Sequence, residues 1–265
     1  MRTPREPRSV CADNVGRLDG APPREPVADR IAMILRACAG KKRSLTLPEL
    51  VEETSLAKTT LHRLCWKLAE LGLLEHSRDG FAIGAGLVAL ASASPVVSRL
   101  RTVAMPYLLD AHKRTGAIPH LAILNDGRAL MLDGLFTHDN RHLQRFLGDA
   151  LPLHCTATGK AIAARLDPQR REELLFARGR LPAATGGTVV HPALLRRQLR
   201  LIAETGIAYA DEELVPGVKG VASAFTLPGG GIAAVGVVGT TSSAVLRRGP
   251  AVVAAAAAAL EQALG

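Results

Sequence analysis

Between Val27 and Ile83 the apolar pattern changes character several times within about sixty residues, which leaves few folds open. Ile31, Ile34, Leu35 and Cys38 fall at i, i+3, i+4 and i+7, the spacing of one helix face, and Gly40 is read as its end. The basic turn Lys41-Lys42-Arg43 follows. A second helix is expected to open at Thr46-Leu47-Pro48-Glu49, because Thr46 can cap a free amide while Glu49 reaches back, and proline is tolerated in a first turn. Leu47, Leu50, Val51 and Thr54 form its inner face. After the break Ser55-Leu56-Ala57, a third helix runs from Lys58 to Leu71 and closes at Gly72, with Leu61, Leu64, Leu68 and Leu71 facing inward. Leu73–His76 and Phe81–Ile83 then flank Ser77-Arg78-Asp79-Gly80, and Asp-Gly is a hairpin signal.

Helix, helix, tight turn, helix and hairpin is the order of a winged helix-turn-helix. Leucines lock the third helix onto the other two, so Lys58, Thr59, Thr60, His62, Arg63, Trp66 and Lys67 are left on the outer face. Arg63, His62 and Thr60 are expected to reach base edges in a major groove. Lys58, Thr59 and Lys67, with Arg78 at the hairpin tip, are expected to grip phosphates. The alternative is an amphipathic bundle whose outer face is merely solvated; the tight turn, polar first turn and wing together favour DNA.

Composition is consistent with that reading. The 33 Lys+Arg against 24 Asp+Glu give a net charge of +9, suited to phosphates or an acidic ligand. Aromatic residues make up only 3%, which argues against binders that stack bases on aromatic platforms. Cys11, Cys38, Cys65 and Cys155 are far apart and form no C-x-x-C, so neither a zinc site nor a disulfide framework is expected, and a reducing compartment is. MRTPREPRSV has no apolar signal core, and Ile83–Val97 and Ala251–Leu260 are short or built of Ala and Ser, unlike a membrane span. A soluble cytoplasmic protein is expected. Residues 1–26 read as a disordered basic tail: either an arm adding phosphate contacts or, as composition alone favours, a dispensable extension.

Residues 84–116 read as a connecting segment and a long helix from Pro95 to Thr115-Gly116. Beyond it, His120–Asn125 and Ala129–Phe136 are strand-like and joined by Asp126-Gly127. Helices are expected at Thr156–Arg165, Gln169–Arg178 and Pro192–Glu204. Strands are expected near Ile207–Ala210, Val221–Thr226 and Ile232–Gly239, before an Ala-rich final helix. Antiparallel strands with segregated helices make an α+β domain with room for a small ligand.

Several segments offer chemistry. The Thr156–Lys160 turn opens a helix whose free amides could hold a carboxylate; equally, it is only a helix start capped by Thr156. A phosphate-binding loop of the G-x-x-x-x-G-K-[ST] kind would need glycine at position 154 and serine or threonine at 161, where the chain has His154 and Ala161. His154 and Cys155, as strand neighbours, would point to opposite faces and not form a dyad. Asp211-Glu212-Glu213 lacks accompanying histidines and reads as loop acids that hydrogen-bond the 151–160 segment. No catalytic residue, metal site or cofactor is therefore expected. An enzyme in the C-terminal half and an interaction adaptor with a degenerate winged helix stay as alternatives, the adaptor disfavoured by Lys58 and Arg63.

Over roughly Val27–Ser242 the chain resembles the IclR family of bacterial transcription regulators. Thr54–Leu74 is similar to the family's recognition-helix segment, with Thr59 where serine is commoner and Ser55 where the turn usually has glycine. Phe81-Ala82-Ile83-Gly84 resembles the end of its wing. Leu151–Ala161, Thr185-x-x-Thr188, Asp211-Glu212-Glu213 and Gly217–Ala222 resemble its effector-domain blocks. The resemblance implies a winged helix-turn-helix at 27–84, a linker helix region at 85–116 and a GAF-like α/β effector-binding and oligomerisation domain at 117–265. It also implies a homodimer or homotetramer reading a pseudo-palindromic operator, and an effector site at Leu143, Leu151, Ala157, Thr158, Gly159, Ala210, Asp211, Val218 and Gly220. Ala210 and Gly220 stand where the family often has Asp and Cys, so a larger or less polar effector than glyoxylate is expected, an aromatic or aliphatic carboxylate.

Overall fold

The computed structural model describes residues 26–136, 143–144, 146–177, 179–240 and 242–265, so the expected basic tail lies outside the described residues except for Pro26. The chain divides into two compact units, one up to Leu87 and one from Val88.

The first unit holds α1 (Val27–Lys41), α2 (Leu47–Thr54), α3 (Lys58–Glu70), β1 (Leu74–Ser77) and β2 (Gly80–Ile83). Its core is Ile34, Cys38, Leu45, Leu50, Leu61, Leu64, Cys65, Leu68, Leu74 and Phe81. The capping box opens α2: Thr46 N donates to Glu49 Oε2 at 2.8 Å, and Thr46 Oγ1 accepts from Glu49 N. Ser55 closes α2 in the left-handed region, φ 56°, which turns the chain sharply into α3. Leu45 exchanges two 2.8 Å backbone bonds with Phe81, fastening the wing to the strand-like residue ahead of α2.

Three local expectations need correction. Gly40 lies inside α1; the helix runs on to Lys41 and Lys42 takes the left-handed cap at φ 51°. Leu71 is 60% exposed, because α3 ends at Glu70 and its last inward positions are Leu68 and Cys65. In the hairpin, Ser77 pairs with Gly80, so Arg78-Asp79 form the turn itself. Gly80 serves a different need. Its φ is +116°, and a Cβ there would sit 2.2 Å from the Leu45 carbonyl oxygen.

The 84–116 segment contains a helix that periodicity did not reveal, α4 (Ala85–Ser92), ahead of α5 (Pro95–Thr115). Among the described residues, no single helix is long and apolar enough to cross a membrane. The rest of the second unit is β3 (Ile118–Asn125), β4 (Arg128–Gly134), β5 (Ala150–Leu151), α6 (Ala157–Arg165), α7 (Pro168–Phe176), α8 (Pro192–Thr205), β6 (Ala208–Asp211), β7 (Lys219–Thr226), β8 (Ile232–Gly239) and α9 (Ser242–Leu264). The strands form an antiparallel sheet in the order β5-β4-β3-β8-β7-β6. Asp126 and Gly127, both left-handed, make the two-residue turn between β3 and β4.

Alternation along the strands sends side chains to two different layers. Ala122, Ala222, Ala224 and Ala234 face α6 and α8, whose Ile162, Leu195, Leu199 and Ile202 complete that core. Leu121, Phe225, Ala233 and Val235 face Leu100, Ala104 and Leu108 of α5 and Ala256, Ala257 and Leu260 of α9. The small side chains on the α6 side let that helix lie close to the sheet.

The start of α6 is tied to the loop after β6. Lys160 Nζ lies 2.6 Å from Glu213 Oε1 and donates to Gln198 Oε1 at 3.1 Å; Lys160 and Glu213 are 1% and 5% exposed. The same loop is clamped from behind, since Thr185 Oγ1 donates to the Glu212 carbonyl and Thr188 Oγ1 to the Glu213 carbonyl, each at 2.6 Å.

Two stability outcomes follow from these contacts. Gly80→Ala should lower the stability of the first unit by about 2 kcal/mol in denaturant unfolding, since it combines a left-handed φ with a backbone clash; an unchanged midpoint would contradict the role given to Gly80. Lys160→Met strands the Glu213 carboxylate and should cost the second unit roughly 3–5 kcal/mol, whereas Lys160→Met with Glu213→Met should recover most of that loss. A double variant no more stable than the single one would show that the pairing is not what holds this corner.

Candidate functional site

The outer face of α3 carries one set of candidate residues. Lys58, Thr59, His62, Arg63 and Lys67 are exposed and Thr60 is partly covered, because Leu61, Leu64, Cys65 and Leu68 take the inward positions. Ala57 offers no side-chain cap to α3, so the amides of its first turn face outward without a competing oxygen, and no acid lies in that turn. Among the described residues, Lys58, Arg63 and Arg78 have no ion-pair partner. Lys67 differs: its ammonium is 2.9 Å from Glu70 Oε2, so part of its charge is already answered.

Trp66 couples α3 to the wing. Its ring lies 4.4 Å from His76 and meets Phe81 edge-on at 5.7 Å, while Trp66 Nε1 donates to His62 Nε2 at 3.1 Å. His62 is thereby oriented, with its Nδ1 side left to contact a partner. Arg78 occupies the exposed hairpin turn. The structure thus sets cations, hydroxyls and free amides on one helix and a further cation on the wing of the same unit.

The second unit contains a pocket whose empty space, its open mouth included, is about 660 Å³. Ile118 and His120 of β3, Met131 of β4, Leu151 of β5, Gly220 of β7 and Val238 of β8 form its floor. Cys155, Thr156, Ala157 and Thr158 bring in the start of α6, Leu143 with Phe136 and Phe146 supply a further wall, and Ala210 with Glu213 and Val218 close the side.

Of the expected effector residues, Leu143, Leu151, Ala157, Thr158, Ala210, Val218 and Gly220 line this pocket. Gly159 and Asp211 do not. The Gly159 amide donates to Thr156 Oγ1 at 3.0 Å, and a Cβ at Gly159 would meet Leu153 Cα at 2.7 Å; the residue is glycine for packing. Asp211 is exposed and pairs with Lys219, 3.0 Å away. The space left by glycine at 220 is partly filled: a Cβ there would stand 3.0 Å from Val238 Cγ1 and 3.4 Å from Ala157 Cβ. That wall is apolar rather than empty.

Charge in the pocket is sparse. Burial pushes His120 down to about 4, so its ring is neutral near pH 7; its Nδ1 lies 3.5 Å from the Ile118 carbonyl. Gly236 makes room for this ring, since a Cβ there would lie 2.8 Å from His120 Nε2. Burial, and then the nearby Glu213 carboxylate, pushes the Cys155 thiol up to about 11, so it is not a thiolate. His154 and Cys155 do not lie on a strand, which corrects the premise of the opposite-faces argument; His154 Nε2 is instead 2.8 Å from the Pro182 carbonyl. Among the described residues, no group of three or more His, Cys, Asp or Glu side chains is assembled that could hold a metal ion.

Sequence reasoning missed His120, Met131, Phe136, Phe146 and the burial of Lys160 and Glu213. The contact between the acidic loop and the 151–160 segment was expected, and Lys160–Glu213 makes it. Thr156 is an N-cap, accepting from Gly159. Among the described residues, the amides of Ala157 and Thr158 have no acceptor, and both residues line the pocket.

Comparison with known proteins places the chain in a family. Residues 27–78 match the IclR helix-turn-helix domain, and residues 95–263 match the bacterial transcriptional regulator IclR C-terminal domain. A glycerol operon regulatory protein of Streptomyces griseus is 32% identical over 197 residues, 74% of this chain and 76% of the relative. The transcriptional repressor IclR of Escherichia coli K12 is 27% identical over 194 residues, 72% and 70% of the two chains. The crystal structure of an IclR homolog from Microbacterium hydrocarbonoxydans, complexed with 4-hydroxybenzoate, superposes with a TM-score of 0.77 at 27% identity, over 89% of this chain and 98% of that one. These relatives are regulators of transcription, and with both domain types present in order, the chain belongs to the IclR family of bacterial transcriptional regulators.

Proposed function

We propose that α3 reads a pseudo-palindromic operator in the major groove and that a small aromatic carboxylate bound in the second unit modulates that reading. The observation that carries the DNA assignment is the outer face of α3, where Lys58 and Arg63 lack an ion-pair partner among the described residues and the first-turn amides have no side-chain cap. Arg63, His62 and Thr60 contact base edges. Lys58, Thr59, Lys67 and Arg78 hold phosphates, with Lys67 exchanging Glu70 for a phosphate oxygen on binding.

The effector class rests on the pocket. Its walls are mainly apolar, its histidine is neutral, and the unpaired amides at the start of α6 suit a carboxylate. An aromatic carboxylate is also what the Microbacterium hydrocarbonoxydans homolog holds. The working form is a homodimer or homotetramer, which gives two reading helices to a symmetric site. The apolar helix α4 supports this, having no buried residue and exposing Val88 and Leu90 at 63% each. Such a regulator acts in the cytoplasm, needs no cofactor and performs no catalysis. The domain limits read from sequence, 27–84, 85–116 and 117–265, are kept as the functional divisions. About 1–3 kcal/mol of coupling between effector and operator would make a useful switch.

Arg63→Ala tests the reading helix. On a site selected from genomic fragments, the variant should lose roughly 1–3 kcal/mol of affinity and tolerate changes at one base position that the wild type rejects. A variant that protects the same sites with unchanged affinity would overturn the assignment.

A further inference from the structure

His62 and Trp66 stand one helical turn apart on α3, so their side chains meet on its outer face. An indole N–H can only donate, and Trp66 Nε1 donates to His62 Nε2 at 3.1 Å. The accepting nitrogen must keep its lone pair. The ring that makes this bond is therefore neutral with its proton on Nδ1, the reverse of the form that a histidine free in water prefers. His62 is exposed, and among the described residues its Nδ1 has no hydrogen-bond partner. It offers a partner one donor and no acceptor.

The indole is itself held from the wing. His76 and Phe81 face each other across the hairpin, and their rings lie 4.4 Å and 5.7 Å from that of Trp66. Phe81 is 2% exposed, and its backbone exchanges two bonds with Leu45 ahead of α2. An anchored strand residue thus seats Trp66, and Trp66 fixes which nitrogen of His62 carries the proton. Packing alone asks only for the ring faces, not for an N–H aimed at a polar side chain.

In a major groove, cytosine presents an amino donor, thymine a methyl group beside O4, and guanine and adenine both present N7. Thymine O4 and guanine O6 already accept within the base pair, whereas N7 takes no part in pairing and keeps its lone pair for a protein donor. A lone N–H therefore suits either purine and is opposed by the cytosine amino group.

We propose that Trp66 is a positioning residue for operator reading: by fixing the Nδ1–H form of His62, it makes His62 select a purine, guanine or adenine alike, at one position of each half-site. The proposal rests on α3 being the reading helix and narrows that reading to one atom.

Two measurements on the full chain test it. With histidine labelled in 15N, the His62 signals, identified by their loss in His62→Ala, should show the Nδ1–H form in mildly alkaline solution. In Trp66→Phe, which keeps a ring but no donor, they should move to the Nε2–H form. A wild-type ring protonated on Nε2 would overturn the proposal, whether or not Trp66→Phe folds. The second measurement is affinity for the selected operator with each base changed in turn and each purine replaced by its 7-deaza form. At one half-site position the wild type should favour either purine over a pyrimidine, and over a 7-deazapurine, by roughly fivefold to tenfold. His62→Ala should abolish that preference at this position alone, and Trp66→Phe should bring it below about twofold while other positions keep theirs. No purine preference that depends on His62, or one that Trp66→Phe retains in full, would overturn the role of Trp66 while leaving α3 as the reading helix. A wild type that prefers no sequence at all would overturn the reading of α3 itself, and this assignment with it.

Discussion

Lys160 and Glu213 form an ion pair almost wholly withdrawn from water, and the architecture of the second unit around its pocket depends on it. The pair joins the first turn of α6 to the loop after β6, two segments far apart in the chain. Thr185 and Thr188 fix that loop from its other side. As a result the start of a helix, with its outward amides, and the loop that carries Glu213 line one mainly apolar cavity. Burying such a pair is not a source of great stability in itself, but breaking it leaves a stranded charge. The pair is better understood as a device that sets geometry: it holds one wall of the pocket against the other.

In the first unit, position is set by backbone contacts instead. The capping box at Thr46 and Glu49 fixes where α2 begins, Ser55 turns the chain, and α3 emerges with its leucines inward and its cations outward. The Leu45–Phe81 bridge and the close approach at Gly80 attach the wing to the same framework. Trp66 then links α3 and the wing through its ring contacts with His76 and its hydrogen bond to His62. The direction of His62 therefore depends on a tryptophan that is itself 40% exposed and seated against the wing.

Features governed by neighbouring residues were legible in the sequence. The Thr46 capping box, the outer face of α3 and the Asp126-Gly127 turn each depend on a few consecutive positions. Where a local signal had two meanings, the sequence misled: Gly40 and Gly80 both look like punctuation, yet one sits inside a helix and the other makes room for Leu45. Helix α4 escaped notice because its apolar residues run all round it and give no period. The pocket was only half legible. Its glycine and alanine positions followed from family blocks, whereas His120, Phe136 and Phe146 come from strands and irregular segments that only the sheet brings together. Nothing local marks Lys160 as buried, since its partner is 53 residues away.

The proposed role of the first unit requires sequence-specific DNA binding. The most direct measurement is selection of bound fragments from the source genome by the purified full chain, with the enriched sequence titrated across a salt series. The expected result is a discrete inverted repeat whose affinity falls steeply as salt rises, since several phosphate contacts are released together. Retention that is weak and indifferent to sequence, at low and high salt alike and with or without 4-hydroxybenzoate, would contradict it.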